Sequence, residues 1–456
     1  MARQAHTVEQ VRAAEAALMA TVPPGTLMQR AATGLATACA DVLGGAYGAS
    51  VLVLAGSGNN GGDGVFAGAR LARRGARVSV VRLGDRVHAG ALTALRSAGG
   101  VVVDVPPRRI DLVLDAIVGI GGSPGLRPPA ARLVSTLSAP VVAVDVPSGV
   151  GVDSAEVDGP HVEAALTVTF GTHKVGLLVD PAAAAAGTVQ LVDIGLGPYL
   201  PPPAVEALQH SDVRRLLPRP GRSAQKYSRG VVGVRAGSAQ YTGAGLLATG
   251  AAVRSGLAGM VRYHGASADL VRSAFPEVVL GAGRVQAWVV GSGLGDEAAT
   301  VLPEVLGQEL PTIVDADALR FLPDRCTTPV VLTPHAGELA AMLGTERTDV
   351  EAGMLASARA AAARWNAVVL LKGARSVVAA PDGRVRVNPT GVPWLATAGA
   401  GDVLSGLIGA LLAAGLAPYD AAAVGAYVHG AAATLASAGG PMTASDLLGT
   451  LARAAG

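Results

Sequence analysis

Cysteine and aromatic residues are nearly missing from this chain of 456 residues, which has two cysteines and 3% Phe, Trp and Tyr. Cys39 and Cys326 lie far apart in apolar or loop contexts, which argues against a disulfide framework or a thiolate metal cluster; two buried free thiols are expected. With so few rings the core must be built from Ala, Val and Leu, as in parallel strands covered by small-faced helices. An excess of one charge is lacking too. Lys plus Arg number 36 and Asp plus Glu 34, a formal charge of +2, which leaves no electrostatic footprint for nucleic acid or an acidic membrane. The longest apolar run, 403–417, falls short of the ~20 residues that a membrane span requires and stops at Pro418. Glu9, Arg12 and Glu15 fall in an amphipathic segment where a signal peptide would need an unbroken apolar core. Neither a nucleic-acid nor a membrane partner is expected, and the expected location is the cytoplasm.

At ~150 residues per domain, the length predicts two or three domains. A helix opens the chain, with Thr7 and Gln10 as a capping box, and a second is expected over 27–43. Apolar runs at 51–54, 77–83, 101–105, 112–117, 141–146, 166–170 and 189–194 then alternate with helical stretches, as in a doubly wound parallel sheet. Pro and Gly break the pattern at 197–203. A second α/β series follows, with strands at 231–234, 259–263, 287–290, 312–314, 330–333 and 368–371, a small-residue helix over 243–255 and a nearly all-helical end from Gly399. The domains are accordingly placed at 1–212 and 213–456.

Each domain carries a glycine-rich loop where backbone N–H groups can converge on an anion. The first is Gly56-Ser57-Gly58-Asn59-Asn60-Gly61-Gly62-Asp63-Gly64. Its Gly56, Gly58 and Gly61 match the spacing of a dinucleotide-binding turn, so a Rossmann dehydrogenase is the rival reading. Asn59, Asn60 and Asp63, however, add oxygens beside a phosphate, where a cation or hydroxyl must intervene. Asn60, Asp115 and Ser148, each near the end of a different strand, could supply oxygen ligands for a hard cation; for Asp115 and Ser148 turn capping is the alternative. Lys174, just past a strand end, is read either as a neutraliser of phosphate or as a solvated lysine.

The second loop is Ala398-Gly399-Ala400-Gly401-Asp402, ahead of a long apolar helix. The N–H groups there would face charge developing on a transferring phosphoryl group, and Asp402 could accept a proton from an attacking hydroxyl. His335 could cap the helix that follows it. Lys372 ends an apolar strand, where an unpaired ammonium needs an anion. For Asp315 and Asp317, turn capping before Leu319 is preferred over orienting magnesium through water.

In order, GSGNNGGDG, the Asp115-Ala-Ile-Val-Gly-Ile-Gly stretch, Asp145-Val-Pro-Ser-Gly and the preceding Leu27-Met28 helix resemble NAD(P)H-hydrate epimerase over most of residues 1–210. The resemblance implies that Asn59, Asn60, Gly61, Gly62 and Asp63, with Gly119, Ile120, Gly121, Gly122, Ser123, Pro124 and Gly125, contact the hydrated nucleotide. It implies potassium on Asn60, Asp115 and Ser148, and a substrate contact and proton-transfer role for Asp145, whose alternative is bracing of the Pro147-Ser148 turn. Ser57 and Ile120 depart from the family, where Pro and Thr are common; neither removes a needed ligand atom.

The second loop resembles that of the ribokinase-like superfamily. With Tyr241-Thr-Gly-Ala-Gly, Gly291-Ser-Gly-Leu-Gly, Asp315-Ala-Asp-Ala-Leu, Thr333-Pro-His-Ala-Gly-Glu and Lys372-Gly-Ala-Arg-Ser, it is similar to NAD(P)H-hydrate dehydratase over most of residues 213–456. This implies that Ala244, Gly293 or Gly295, His335 and Asp402 meet the hydrated nucleotide. Lys372, Gly373, Ala374, Arg375, Ser376 and Gly401 would bind the adenine nucleotide, and Mg²⁺ and ADP would be required. The expected whole is a Rossmann-like domain followed by a ribokinase-like one, forming a homo-oligomer that epimerises and dehydrates hydrated NADH and NADPH (NADHX and NADPHX). Two rivals are a small-molecule kinase, for instance for a vitamin precursor, with an accessory nucleotide-binding domain, and a non-catalytic nucleotide-binding protein.

Overall fold

A computed structural model describes residues 2–456 of the chain. Contacts divide it into two compact units, Gln4–Val205 and Glu206–Gly456, the latter joined by Ala2 and Arg3.

The first unit is built on seven strands: β1 Ser50–Ala55, β2 Arg77–Arg82, β3 Val101–Val103, β4 Leu112–Ala116, β5 Val141–Val144, β6 Leu166–Phe170 and β7 Thr188–Val192. All pair in parallel, in the order β3-β2-β1-β4-β5-β6-β7. Every residue of β1 and β4 is buried, because helices cover both faces of the sheet, and this is why their sequences run apolar without alternation. Helices Thr26–Val42 and Asn59–Arg73 turn Ala31, Ala32, Leu35, Ala67 and Leu71 onto Val51, Val53 and Leu114. The chain winds outward from β1 to β3 and then returns to β4 on the other side. The carboxyl ends of β1 and β4 therefore flank the reversal point, where a crevice must open. At the chain start Ala5 and His6 pair in parallel with His173 and Lys174, and helix Val8–Met19 follows behind the expected Thr7–Gln10 capping box.

The second unit contains β8 Val231–Arg235, β9 Met260–Tyr263, β10 Val279–Leu280, β11 Ala287–Val290, β12 Thr312–Val314, β13 Val330–Leu332, β14 Val368–Leu371, β15 Ser376–Ala379 and β16 Val385–Asn388. Their order is β10-β9-β8-β11-β12-β13-β14-β15-β16. The sheet is parallel as far as β14, after which β15 and β16 return antiparallel. Helix Ala400–Ala413 is buried along nearly its whole length. It packs on helix Thr242–Arg254 and on β11 so closely that a Cβ at Gly406 would collide with the Ala248 carbonyl, and one at Gly409 with Val289. Small residues on the facing helices are what allow this approach.

Both α/β series are as expected from the sequence, with strand ends shifted by a residue or two. The predicted runs overshoot at 83, 105, 117 and 146 because apolar residues continue into loops after the ladder has ended. At β5 the cause is explicit: the next residue, Asp145, has φ of 71°, which turns the chain out of the sheet. The hairpin β15–β16 and the short β10 are additions to the expected strands.

Candidate functional sites

In the first unit the loop after β1 is forced to be glycine. A Cβ at Gly56 would collide with the Ile117 carbonyl, and one at Gly61 with the carbonyl of Gly56. The loop thereby folds back against the end of β4 and starts helix Asn59–Arg73 at the carboxyl end of β1. Asn60 lies against Gly119, where an added Cβ would be 3.0 Å from its Oδ1, so the two predicted loops meet. Gly119 and Gly122 close a turn, with the Gly122 N–H donating to the Gly119 carbonyl at 2.9 Å. Gly125, with φ of 83°, donates to Gly149 at 2.9 Å. Ile120 packs beside Val146 and Leu177, whereas Ser123 is exposed.

Asp115 is fully buried at the end of β4. Its carboxylate accepts from Ser148 Oγ at 2.6 Å, Ser148 N at 2.8 Å and Ile117 N at 3.2 Å. Burial pushes its pKa up to about 6 against these donors. Ser148 Oγ also accepts from Val118 N at 3.0 Å. The turn-capping geometry is thus present. A carboxylate has about four acceptor positions, of which three are used here, and Asn60 adds an amide oxygen beside the Gly119 turn. The group retains capacity for one more oxygen-seeking ligand, which fits a hard monovalent cation.

Asp145 and Lys174 form a buried ion pair, Nζ to Oδ1 2.5 Å. Lys174 also donates to Thr169 Oγ1 and the Phe170 carbonyl, each at 3.0 Å, and Thr169 Oγ1 donates to Asp145 at 3.0 Å. This corrects both sequence readings of Lys174: it is neither solvated nor free to neutralise a phosphate, because Asp145 takes its charge. Nor does Asp145 brace the Pro147-Ser148 turn; Asp115 does that. Asp63 and Glu15 complete the cluster. Asp63 Oδ1 is hidden and has no partner, and burial, with the charges of Asp145 and Glu15, holds its carboxyl well above the usual range despite Lys174. Burial likewise raises Glu15, with Lys174 opposing. In sequence Lys174 offered only those two readings and Glu15 none toward this site, since the partners of both lie far away along the chain.

In the second unit the Ala398–Asp402 loop opens helix Ala400–Ala413 through Gly399, whose φ is 89°. Asp402 is in the first turn, its pKa pushed up to about 6 by burial and by the charge of Asp315, with Ser292 and Lys372 pulling the other way. Gly401 is near enough that a Cβ would be 3.5 Å from Lys372 Nζ and 3.7 Å from Asp315 Oδ2. Asp315 is the hub. It accepts from Lys372 Nζ at 3.0 Å, Thr333 Oγ1 at 2.9 Å, Ser405 Oγ at 2.7 Å and Ser292 Oγ at 3.4 Å. The expected capping role of Asp315 is therefore wrong: it is the anion that Lys372 requires, and its four donors leave little for a metal. Burial works against the charge of Lys372, but Asp315, Glu338 and Asp402 outweigh it and raise its pKa. Asp317 accepts from Gly295 N at 2.9 Å.

Gly293, at φ 67°, packs on the start of helix Thr242–Arg254, where an added Cβ would meet Ala244 Cβ at 2.9 Å; the predicted pair is in contact. His335 does cap helix Ala336–Leu343, its Nδ1 accepting from Gly337 N and Glu338 N at 3.0 and 3.1 Å. Residues Lys372, Gly373, Ala374 and Arg375 form the turn between β14 and β15, and Lys372 N donates to Pro334 O at 2.8 Å beside His335. The second group of predicted residues thus converges on one end of the parallel sheet.

Comparison with known proteins gives both halves a counterpart. Residues 232–453 match a family model described as NAD(P)H-hydrate dehydratase, and residues 24–176 one described as YjeF-related protein N-terminus. The chain is 49% identical to the bifunctional NAD(P)H-hydrate repair enzyme of Mycobacterium leprae, over 96% of this chain and 94% of that protein. It is 38% identical to the Moorella thermoacetica protein of the same name, over 84% and 82%. Among solved structures, ADP/ATP-dependent NAD(P)H-hydrate dehydratase from Bacillus subtilis, co-crystallised with ATP and Mg²⁺, superposes with a TM-score of 0.52 at 30% identity, covering 54% of this chain and 96% of that one.

Proposed function

Because the chain belongs to the family of bifunctional NAD(P)H-hydrate repair enzymes, we propose that its two sites act in succession on one damaged cofactor, NADH or NADPH that has gained water at C6 of the nicotinamide ring. It is a two-activity enzyme of metabolite repair, with a Rossmann-like and a ribokinase-like half. We assign epimerisation at C6 to residues 1–212 and ADP-dependent dehydration of the S epimer to residues 213–456.

In the first site Asn59 to Asp63 and Gly119 to Gly125 would cradle the hydrated nucleotide, with Asp145 contacting it and moving a proton. Potassium on Asn60, Asp115 and Ser148 would offset the charge that Asp115 and the substrate phosphates bring together. In the second site Ala244, Gly293, Gly295, His335 and Asp402 would hold the hydrated ring. Lys372 to Ser376 and Gly401 would hold the adenine nucleotide, which carries Mg²⁺ as a charge screen. Asp402 accepts the proton of the C6 hydroxyl as that oxygen attacks the terminal phosphorus of ADP, with AMP leaving. The hydroxyl becomes a phosphate ester, a good leaving group. The ring nitrogen expels phosphate, and loss of the adjacent C5 proton restores the reduced nicotinamide. N–H groups at the start of helix Ala400–Ala413 stabilise the phosphoryl charge. Both thiols are free and buried, in keeping with a reducing compartment such as the cytoplasm.

The observation that carries the dehydratase assignment is a first-turn carboxylate, Asp402, behind a glycine anion loop and beside the Lys372–Asp315 pair. Incubation of mixed epimers with ADP tests the whole, following nicotinamide absorbance and released phosphate. Consumption of both epimers with free phosphate and AMP as products supports it; a stable phosphoester would mark the kinase rival.

A further inference from the structure

The second unit holds a cavity of about 620 Å³, within the ~300–1,000 Å³ of ligand sites. Its walls include Asp317, Leu319, His335, Glu338, Met342 and Arg364. It adjoins the site described above: Glu338 Oε2 lies 3.7 Å from Lys372 Nζ, and His335 belongs to both. None of the other residues assigned there to the hydrated ring or to ADP lines it. A dinucleotide whose nicotinamide end reacts at Asp402 must place its other half somewhere, and this space is next to it.

Asp324 is an exposed carboxylate on the rim, and most of the other charged groups of the wall are committed. Asp317 accepts from Gly295, Glu338 caps its helix and faces Lys372, and Arg320 donates to Asp296. Arg364 differs. It is exposed, its guanidinium lies 4.5 Å from the centre of the Trp365 ring, and it donates only to the Met342 carbonyl, at 3.3 Å. A guanidinium has five N–H donors. Set over the indole ring, it offers a planar fork of the kind that suits a phosphate monoester.

We propose that this cavity takes the non-reacting adenosine half of the hydrated dinucleotide, with Arg364 binding the extra phosphate that distinguishes hydrated NADPH from hydrated NADH. This rests on the reading of the second unit as the dehydratase. The test is kcat/KM for dehydration of each hydrate at saturating ADP, in the full chain and its Arg364→Gln and Arg364→Lys variants. The NADPH-over-NADH preference should fall about tenfold in Arg364→Gln, as loss of a charge-assisted pair predicts, and recover partly in Arg364→Lys. An unchanged preference, an equal loss with both hydrates, or a raised KM for ADP in place of the dinucleotide would overturn the assignment. If the unaltered chain dehydrates neither hydrate, it is the dehydratase reading that falls.

Discussion

Lys174 Nζ stands 2.5 Å from Asp145 Oδ1, and both groups are shut away from water at the carboxyl end of the first sheet. Removing one member of such a pair leaves an uncompensated charge, which costs about 3–5 kcal/mol. Lys174→Met should therefore destabilise the first unit by that order in denaturant titration, and adding Asp145→Asn should recover part of it. A double variant no more stable than the single one would show that the pair is not coupled in this way.

Asp402→Asn should lower the dehydration rate by ~10²-fold or more, as expected for loss of a general base, while epimerisation stays near normal if, as proposed, it belongs to the other unit. Comparable loss of both activities in a folded protein would sink the division of labour.

The pKa of Asp402 is raised to about 6, and only the ionised form can take a proton. Above that value the base is available; as pH falls through it the base is lost. Dehydration kcat/KM should thus be level above about pH 7 and fall toward tenfold per pH unit below about 6. A profile level down to pH 5 would exclude Asp402 as the titrating base.

Exchange of potassium for tetramethylammonium should abolish epimerisation, since that cation is too large and offers no bare charge to the remaining acceptor positions around Asp115, Ser148 and Asn60. The assay is interconversion of the two epimers without ADP. Full activity after exhaustive exchange would leave Asp115 with its capping role alone.

The sheets were legible because parallel strands buried on both faces are short apolar runs, and the two glycine loops because Gly56, Gly61 and Gly399 leave marks no other residue can. The hairpin β15–β16 was missed although Pro381-Asp382-Gly383 separates its strands, since an antiparallel return breaks the strand–helix alternation being followed. The need of Lys372 for an anion was legible, but the partners in the pairs Lys174–Asp145 and Lys372–Asp315 were not. Each joins residues whose separation in sequence says nothing, and only the order of strands in the sheet brings them together. His335 shows the reverse: capping was among its expected roles, because the groups it caps, Gly337 N and Glu338 N, lie within three residues of it.

The helix that carries Asp402 has no slack where Gly406 meets the Ala248 carbonyl and Gly409 meets Val289. A genetic screen for lost dehydratase activity would accordingly recover Gly406 and Gly409 variants alongside Asp402, although neither glycine touches the chemistry. Yield of soluble protein would sort them, with the glycine variants scarce and the aspartate variants abundant but inert.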